Sequence, residues 1–198
     1  MIVSEKGAVK ALNEAYKKGY EIVPAVRQIA IYTEEWALET FTNELPLEVS
    51  QKLVEHYGGI PVEAQFVQKG RSAQLMMQAE VSDRLEEMQD ATEQSRVLHR
   101  VPITFRGRWD LFVTTEGEIY GFDQKHLTVV QDFADPYVSD NGMGIFAMGE
   151  ERMIIAPAKF GAEDRRKLNA IAELWKTPRA ELVETPENLC LFDDMGRE

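Results

Sequence analysis

The sequence predicts an α+β fold, with antiparallel β-hairpins and a central β-meander packed against about four helices. Three observations predict it. Residues 101–125, VPITFRGRWDLFVTTEGEIYGFDQK, alternate in hydropathy with a period of two and are broken by glycine-containing turns. Two further pairs of β-rich runs, 62–68 with 72–79 and 145–148 with 153–156, flank short turn sequences. Between them lie segments with apolar residues at helical spacing and recognisable caps. A soft boundary near Ser95 separates a helix-and-hairpin part, 1–95, from a meander-plus-helix part, 96–176, and an acidic tail, 177–198.

The first element is a helix over 4–18. Ser4 stands at its N-cap, Val9, Leu12 and Tyr16 form a stripe with Ala8 and Ala15, and Gly19 ends it. Residues 20–23 and 26–32 read as strands interrupted by Pro24, which favours an edge or a bulge. After the Thr33-Glu34-Glu35 turn, 36–42 is their partner strand. The second helix covers 46–57, with Val49, Leu53 and Tyr57 on one face and Gly58-Gly59 as the stop. His56 lies near its C-terminus, where the helix dipole favours an imidazolium.

The runs 62–68 and 72–79 form a hairpin around Lys69-Gly70-Arg71, unless Leu75, Met76 and Met77 begin one long helix through Glu93. Ser82 caps a helix over 82–95 whose apolar face is only Leu85, Met88 and Ala91. Residues 132–144 read as a loop, with Pro136, Asn141, Gly142 and Gly144 as turn residues. The last helix spans 162–176, with Leu168, Ile171, Ala172 and Trp175 as its stripe and Thr177-Pro178 closing it.

Register can be predicted in the meander. A two-residue Glu116-Gly117 loop pairs Val113 with Tyr120, Leu111 with Phe122 and Trp109 with Gln124, which makes one apolar face. A three-residue loop, Arg106-Gly107-Arg108, pairs Phe105 with Trp109, Ile103 with Leu111 and Val101 with Val113. On the opposite face this sets Asp110 against Asp123 and Arg108 against Lys125. Carboxylates facing across strands repel. Arg108, Lys125 or Arg106, a shared proton, or a divalent cation would compensate them.

As a cation site, Asp110 and Asp123 offer the oxygen ligands that Mg²⁺ takes, and a metal so held activates water at a phosphodiester. Asp110 followed by Asp123-Gln124-Lys125 resembles the Asp…(Asp/Glu)-x-Lys motif of the restriction-endonuclease-like nucleases. The resemblance implies Asp110 and Asp123 as Mg²⁺ ligands, with Lys125 completing a catalytic set. It covers only this hairpin. The family sets its motif in a mixed sheet flanked by helices, whereas this stretch reads as an antiparallel meander without an upstream helical acid. The same residues also make a plain salt-bridge cluster on the outer face of a sheet, which His126 is close enough to join.

Charge sets the other expectations. Of the 198 residues, 34 are acidic and 22 basic, a net charge of −12. That balance argues against a general binder of phosphate backbones or of anionic membranes, and it permits steering toward basic partners. Glu80, Asp83, Glu86, Glu87, Asp90 and Glu93 stand against Arg84 alone. They are either a solvated helix face or a row of carboxylates that imitates phosphate spacing.

The sign then reverses in Arg96, His99, Arg100, Arg106 and Arg108, close to Phe105 and Trp109. This is a basic-aromatic patch of the kind that binds single strands, or the set of cations that neutralises the neighbouring acids. Cys190 is the single cysteine, so no intrachain disulfide and no cysteine-rich zinc site is possible. No phosphate-binding, zincin or nucleophile-elbow motif occurs, and the N-terminal residues lack an apolar signal core.

The expectation is therefore a soluble, cytoplasmic, non-enzymatic binding protein without a cofactor. It would present the 80–93 carboxylates to a basic, nucleic-acid-handling protein. The alternatives are a Mg²⁺-dependent nuclease using Asp110, Asp123 and Lys125, and a structural subunit that uses the apolar island Leu189-Cys190-Leu191-Phe192 in its tail.

Overall fold

The computed structural model describes residues 3–24, 27–57, 65–69, 72–76, 95–130, 135–149 and 151–183. The β-branched and aromatic runs of the first part form β1 (Tyr20–Pro24), β2 (Gln28–Tyr32), β3 (Trp36–Phe41) and β4 (Gln65–Lys69), and β4 pairs with β5 (Ser72–Met76), which has neither residue type. The later strands are β6 (Ser95–Phe105), β7 (Trp109–Thr114), β8 (Ile119–Asp123), β9 (Asp135–Ser139), β10 (Gly144–Met148) and β11 (Glu151–Ile155). The helices are α1 (Glu5–Lys18), α2 (Leu47–Tyr57), the single turn α3 (Gln124–Leu127) and α4 (Ala162–Val183).

Among the described residues eleven strands form one sheet in the order β5-β4-β1-β2-β3-β11-β10-β9-β6-β7-β8, and every neighbouring pair is antiparallel. The fold is α+β. The meander β6-β7-β8 is central in the sequence and lies at one edge of the sheet.

The two parts of the chain meet where β3 pairs with β11. There Thr40 donates to Glu151 in a buried position, while Arg152 and the Tyr32 hydroxyl both donate to Glu39. The sheet curls into a half-barrel. Tyr20 and Ile22 of β1 share one core with Phe112 and Phe122 of β7 and β8, and Leu12 of α1 with Val49 and Leu53 of α2 fills the concavity. Burying each such side chain is worth about 2 kcal/mol.

Phe112, Phe122 and Phe146 pack edge to face with ring centroids 5.5 to 5.7 Å apart. The opposite face of the meander is covered as well. Val101, Leu111 and Val113 pack beneath Leu168 and Ala172 of α4, with Phe160 and Trp175 at the margin. A strand between two cores needs no alternation, and β7 is buried at five consecutive positions, 110–114.

That double burial corrects the predicted register. Trp109 pairs with Asp123, Asp110 with Phe122, Leu111 with Gly121, Phe112 with Tyr120 and Val113 with Ile119. The hairpin loop has three residues, not two. Thr114 N–H donates to Glu118 O at 2.9 Å, Gly117 N–H donates to Thr114 O at 3.0 Å, and Gly117 takes φ 85°. This is a tight turn closed by a left-handed glycine. Both faces of β7 have a core to enter, so its apolar pattern does not choose the register; β8 does, with Phe122 in the half-barrel core and Gly121 against Phe160.

The first hairpin keeps its three-residue loop and the Phe105–Trp109 pair. Beyond Thr104–Asp110, however, a bulge at Pro102-Ile103 shifts the pairing to Val101–Leu111 and Arg100–Phe112. Proline has no N–H for the ladder, which makes this the natural place for the break.

Other differences have equally local causes. Residues 135–139, expected as loop, form β9 between β10 and β6; Pro136 pairs only on the β10 side, beyond the reach of β6. Pro24 ends β1 after its last contact with β4, so β1 is an interior strand without losing a bond to the proline. α4 continues past Thr177-Pro178 to Val183, since one missing donor removes one hydrogen bond and good helix formers follow. The single turn α3 was not foreseen, and the predicted acidic helix over 82–95 lies outside the described residues up to Gln94. Among the described residues no helix is long and apolar enough to cross a membrane.

Candidate functional site

The corrected register separates the predicted constellation. Asp110 and Asp123 stand at odd spacing across the β7–β8 pair, so their side chains leave opposite faces of the sheet. Neither is opposite the other, and Arg108 is not opposite Lys125.

Asp110 is buried beside the bulge and accepts from Arg100, from Thr104 Oγ1 at 3.1 Å and from Gln124 Nε2 at 2.7 Å. Three donors satisfy a carboxylate in a position where water is scarce. Asp123 is engaged differently. Its Oδ2 accepts from Arg108 Nε at 2.8 Å and Nη2 at 2.7 Å, while its Oδ1 accepts from the Lys125 backbone N–H at 3.0 Å. Asp123 is thus the N-cap of α3, which is why the chain turns there.

The remaining arginines are also engaged singly. Arg96 donates to Glu118 at 2.6 Å and to the Tyr120 hydroxyl at 3.3 Å, and Arg106 reaches Asp164 of α4 at 2.6 Å. Arg106 and Arg108 also lie over the rings of Phe105 and Trp109, at 5.7 and 5.0 Å from the centroids. The predicted basic-aromatic patch is distributed over four separate ion pairs.

Lys125 leads to a cluster that no spacing in the chain foretells. Its Nζ lies 3.1 Å from Glu35 and 3.9 Å from Glu14, and Lys18 Nζ is 3.3 Å from Glu35. His126 Nε2 is 3.4 Å from the same Glu35. Three elements bring these groups together. α1 supplies Glu14 and Lys18, the β2–β3 turn supplies Glu35, and α3 supplies Lys125 and His126.

The turn is held by Thr33, whose Oγ1 donates to Trp36 O at 2.8 Å and accepts from the N–H groups of Glu35 and Trp36. α1 is held against α3 at Gly7, where a Cβ would run into the Thr128 carbonyl, and by Ser4 N–H donating to Val129 O at 2.6 Å.

Burial would raise the Glu35 carboxyl, but Lys125 and then Lys18 outweigh it and hold the group below the usual carboxylate range. His126 is pushed from 6.5 down to about 4, first by burial and then by the Lys125 ammonium, against the pull of Asp123, Glu35 and Glu14. It is therefore a neutral imidazole at pH 7. The cavity beside it measures about 20 Å³, room for one water and not for a substrate. His56, by contrast with the expected imidazolium, is held down by burial and then by Lys52; it stacks on Tyr16 at 4.1 Å and is hydrogen-bonded to the Tyr20 hydroxyl at 2.7 Å.

Among the described residues no three His, Cys, Asp or Glu side chains converge as a metal site. The carboxylates Glu80, Asp83, Glu86, Glu87, Asp90 and Glu93, and the tail island 189–192, lie outside the described residues. Comparison with known proteins finds no match: no family model, no curated protein and no solved structure is significantly similar to this chain.

Proposed function

We propose that the protein is a non-enzymatic, cytosolic binding factor that presents carboxylates to a basic, nucleic-acid-handling protein. The observation that carries this reading is charge: a net −12, with Glu80, Asp83, Glu86, Glu87, Asp90 and Glu93 in one run whose only base is Arg84. Carboxylates recurring at helical spacing present the same sign as a row of phosphates, so a groove built for nucleic acid attracts them by the same Coulomb term. The meander supports it from the other side. Asp110, Asp123 and Lys125 each belong to a separate set of hydrogen bonds and ion pairs, and they do not converge on one cavity. A cytosolic setting suits a chain with the single cysteine Cys190.

The test is affinity capture with the wild type and with a variant in which the six carboxylates are replaced by their amides. The wild type should enrich proteins of high isoelectric point, lose them between about 50 and 300 mM salt as screening sets in, and release them to competing duplex DNA. The amide variant should enrich none of them while keeping the wild-type circular dichroism spectrum. Identical capture by both proteins, or indifference to DNA, refutes the reading.

A further inference from the structure

We infer that the cleft between β8 and α4 binds a small amphipathic zwitterion: a molecule with one ammonium, one carboxylate and an apolar body about the size of a single ring. The cleft has a volume of about 500 Å³, within the range of small-molecule pockets. One wall is the start of β8 at Glu118, Ile119 and Tyr120, and another is the first turns of α4. The turn 140–142 and the segment 157–160 close it.

The walls are fixed before any ligand arrives. Ala158 N–H donates to Gly121 O at 2.8 Å, which stitches the 157–160 segment to the otherwise open edge of β8. Phe160 stands edge-on to Phe105 and Trp109 at 5.6 and 5.5 Å, in space that a side chain on Gly121 would occupy. The Tyr120 hydroxyl donates to Glu118 at 2.8 Å. Gly142, at φ 83°, carries the turn past Tyr120 and Pro157 without a side chain. Preorganised walls lower the entropic cost of binding.

Charges of both signs line this one concavity, and they are in unequal states. Glu118 is already paired with Arg96 at 2.6 Å. Asp140 and Lys159 are exposed, and among the described residues neither side chain has a hydrogen-bond or ion-pair partner. Arg165 donates its Nε to Phe160 O at 3.1 Å, which orients the guanidinium and leaves its terminal N–H groups available.

Asp140 forms no ion pair with Lys159 or Arg165 among the described residues, so the acid and the two bases do not quench one another. A ligand that carries both charges satisfies both signs, while Ile119, Pro157 and Phe160 take its body. A ligand with one charge leaves the opposite-signed partner unused and meets a like charge in the same cleft.

The probe is phenylalanine, compared by calorimetry with 3-phenylpropanoate, which lacks the ammonium, and 2-phenylethylamine, which lacks the carboxylate. Phenylalanine should bind saturably and about tenfold or more tighter than either. Lys159→Gln should weaken phenylalanine and 3-phenylpropanoate by about tenfold and spare 2-phenylethylamine; Asp140→Asn should do the reverse. Both positions are exposed, so the fold, followed by circular dichroism, is retained. Absence of saturable phenylalanine binding up to about 20 mM, equal affinity for all three compounds, or affinity unmoved by both substitutions overturns the proposal.

Discussion

Replacing His126 by glutamine should flatten the acid limb of the stability curve. In the folded chain the imidazole stays neutral until about pH 4, whereas unfolded it takes a proton near 6.5. At pH 7 the folded imidazole is neutral and the unfolded one carries a proton only about a quarter of the time, so His126 adds little pH dependence there. Below 6.5 the unfolded state binds a proton that the folded state refuses, so stability falls with pH and levels off below about 4. Integrated over these two values, the loss is about 1 kcal/mol from pH 7 to 5.5 and about 2 to 2.5 kcal/mol by pH 4.5.

Glu35 does not contaminate this window. Its pKa is lowered, so its own contribution is lost only as pH falls below the ordinary carboxylate value of 4.5. His56 slopes in the same direction as His126 but cancels in the difference between two proteins that both contain it. Urea unfolding of the wild type and His126→Gln at pH 7, 5.5 and 4.5 gives the slopes directly. Parallel curves for the two proteins, or a wild type that gains stability relative to the variant as pH falls, would refute the account of a buried neutral imidazole.

Three other substitutions test the packing. Gly144→Ala would place a Cβ 2.6 Å from Phe122 Cζ, inside the triad of Phe112, Phe122 and Phe146, and should cost about 1 to 3 kcal/mol in thermal unfolding. The bulge predicts unequal neighbours: Ile103 is 45% exposed and Val101 1%, so Ile103→Ala should cost about 0.5 kcal/mol or less and Val101→Ala at least about 1.5 in urea. Asp110→Ala should destabilise by about 1 to 3 kcal/mol, since it removes the shared acceptor of the Arg100 guanidinium, the Thr104 hydroxyl and the half-buried Gln124 amide. Asp110→Asn should recover part of that loss, because an amide oxygen still accepts from Thr104 and Gln124. Equal costs for Ala and Asn at this position would show that the loss comes from packing.

Much of the architecture was legible in the residues because its causes are local. α1 begins after Ser4 and stops at Gly19, where φ reaches 105°; β4 and β5, like β10 and β11, follow the runs and turns that named them. The Arg106-Gly107-Arg108 loop is also local chemistry, with Arg106 and Gly107 both at positive φ. The sequence by itself thus determined the α+β class, most element boundaries, the charge, and the limit set by a single cysteine.

What only the tertiary structure decided is which faces are buried. The predicted β7–β8 register assumed one apolar face, and Phe112 beside Leu111 gave no way to choose between them until α4 covered one side and the half-barrel the other. With the register went the Asp110–Asp123 pair. The Glu35–Lys125–His126 cluster was out of reach for the related reason that ninety residues separate Glu35 from Lys125. Side chains that far apart are joined by how the sheet curls around α1, and no spacing in the chain encodes that curl.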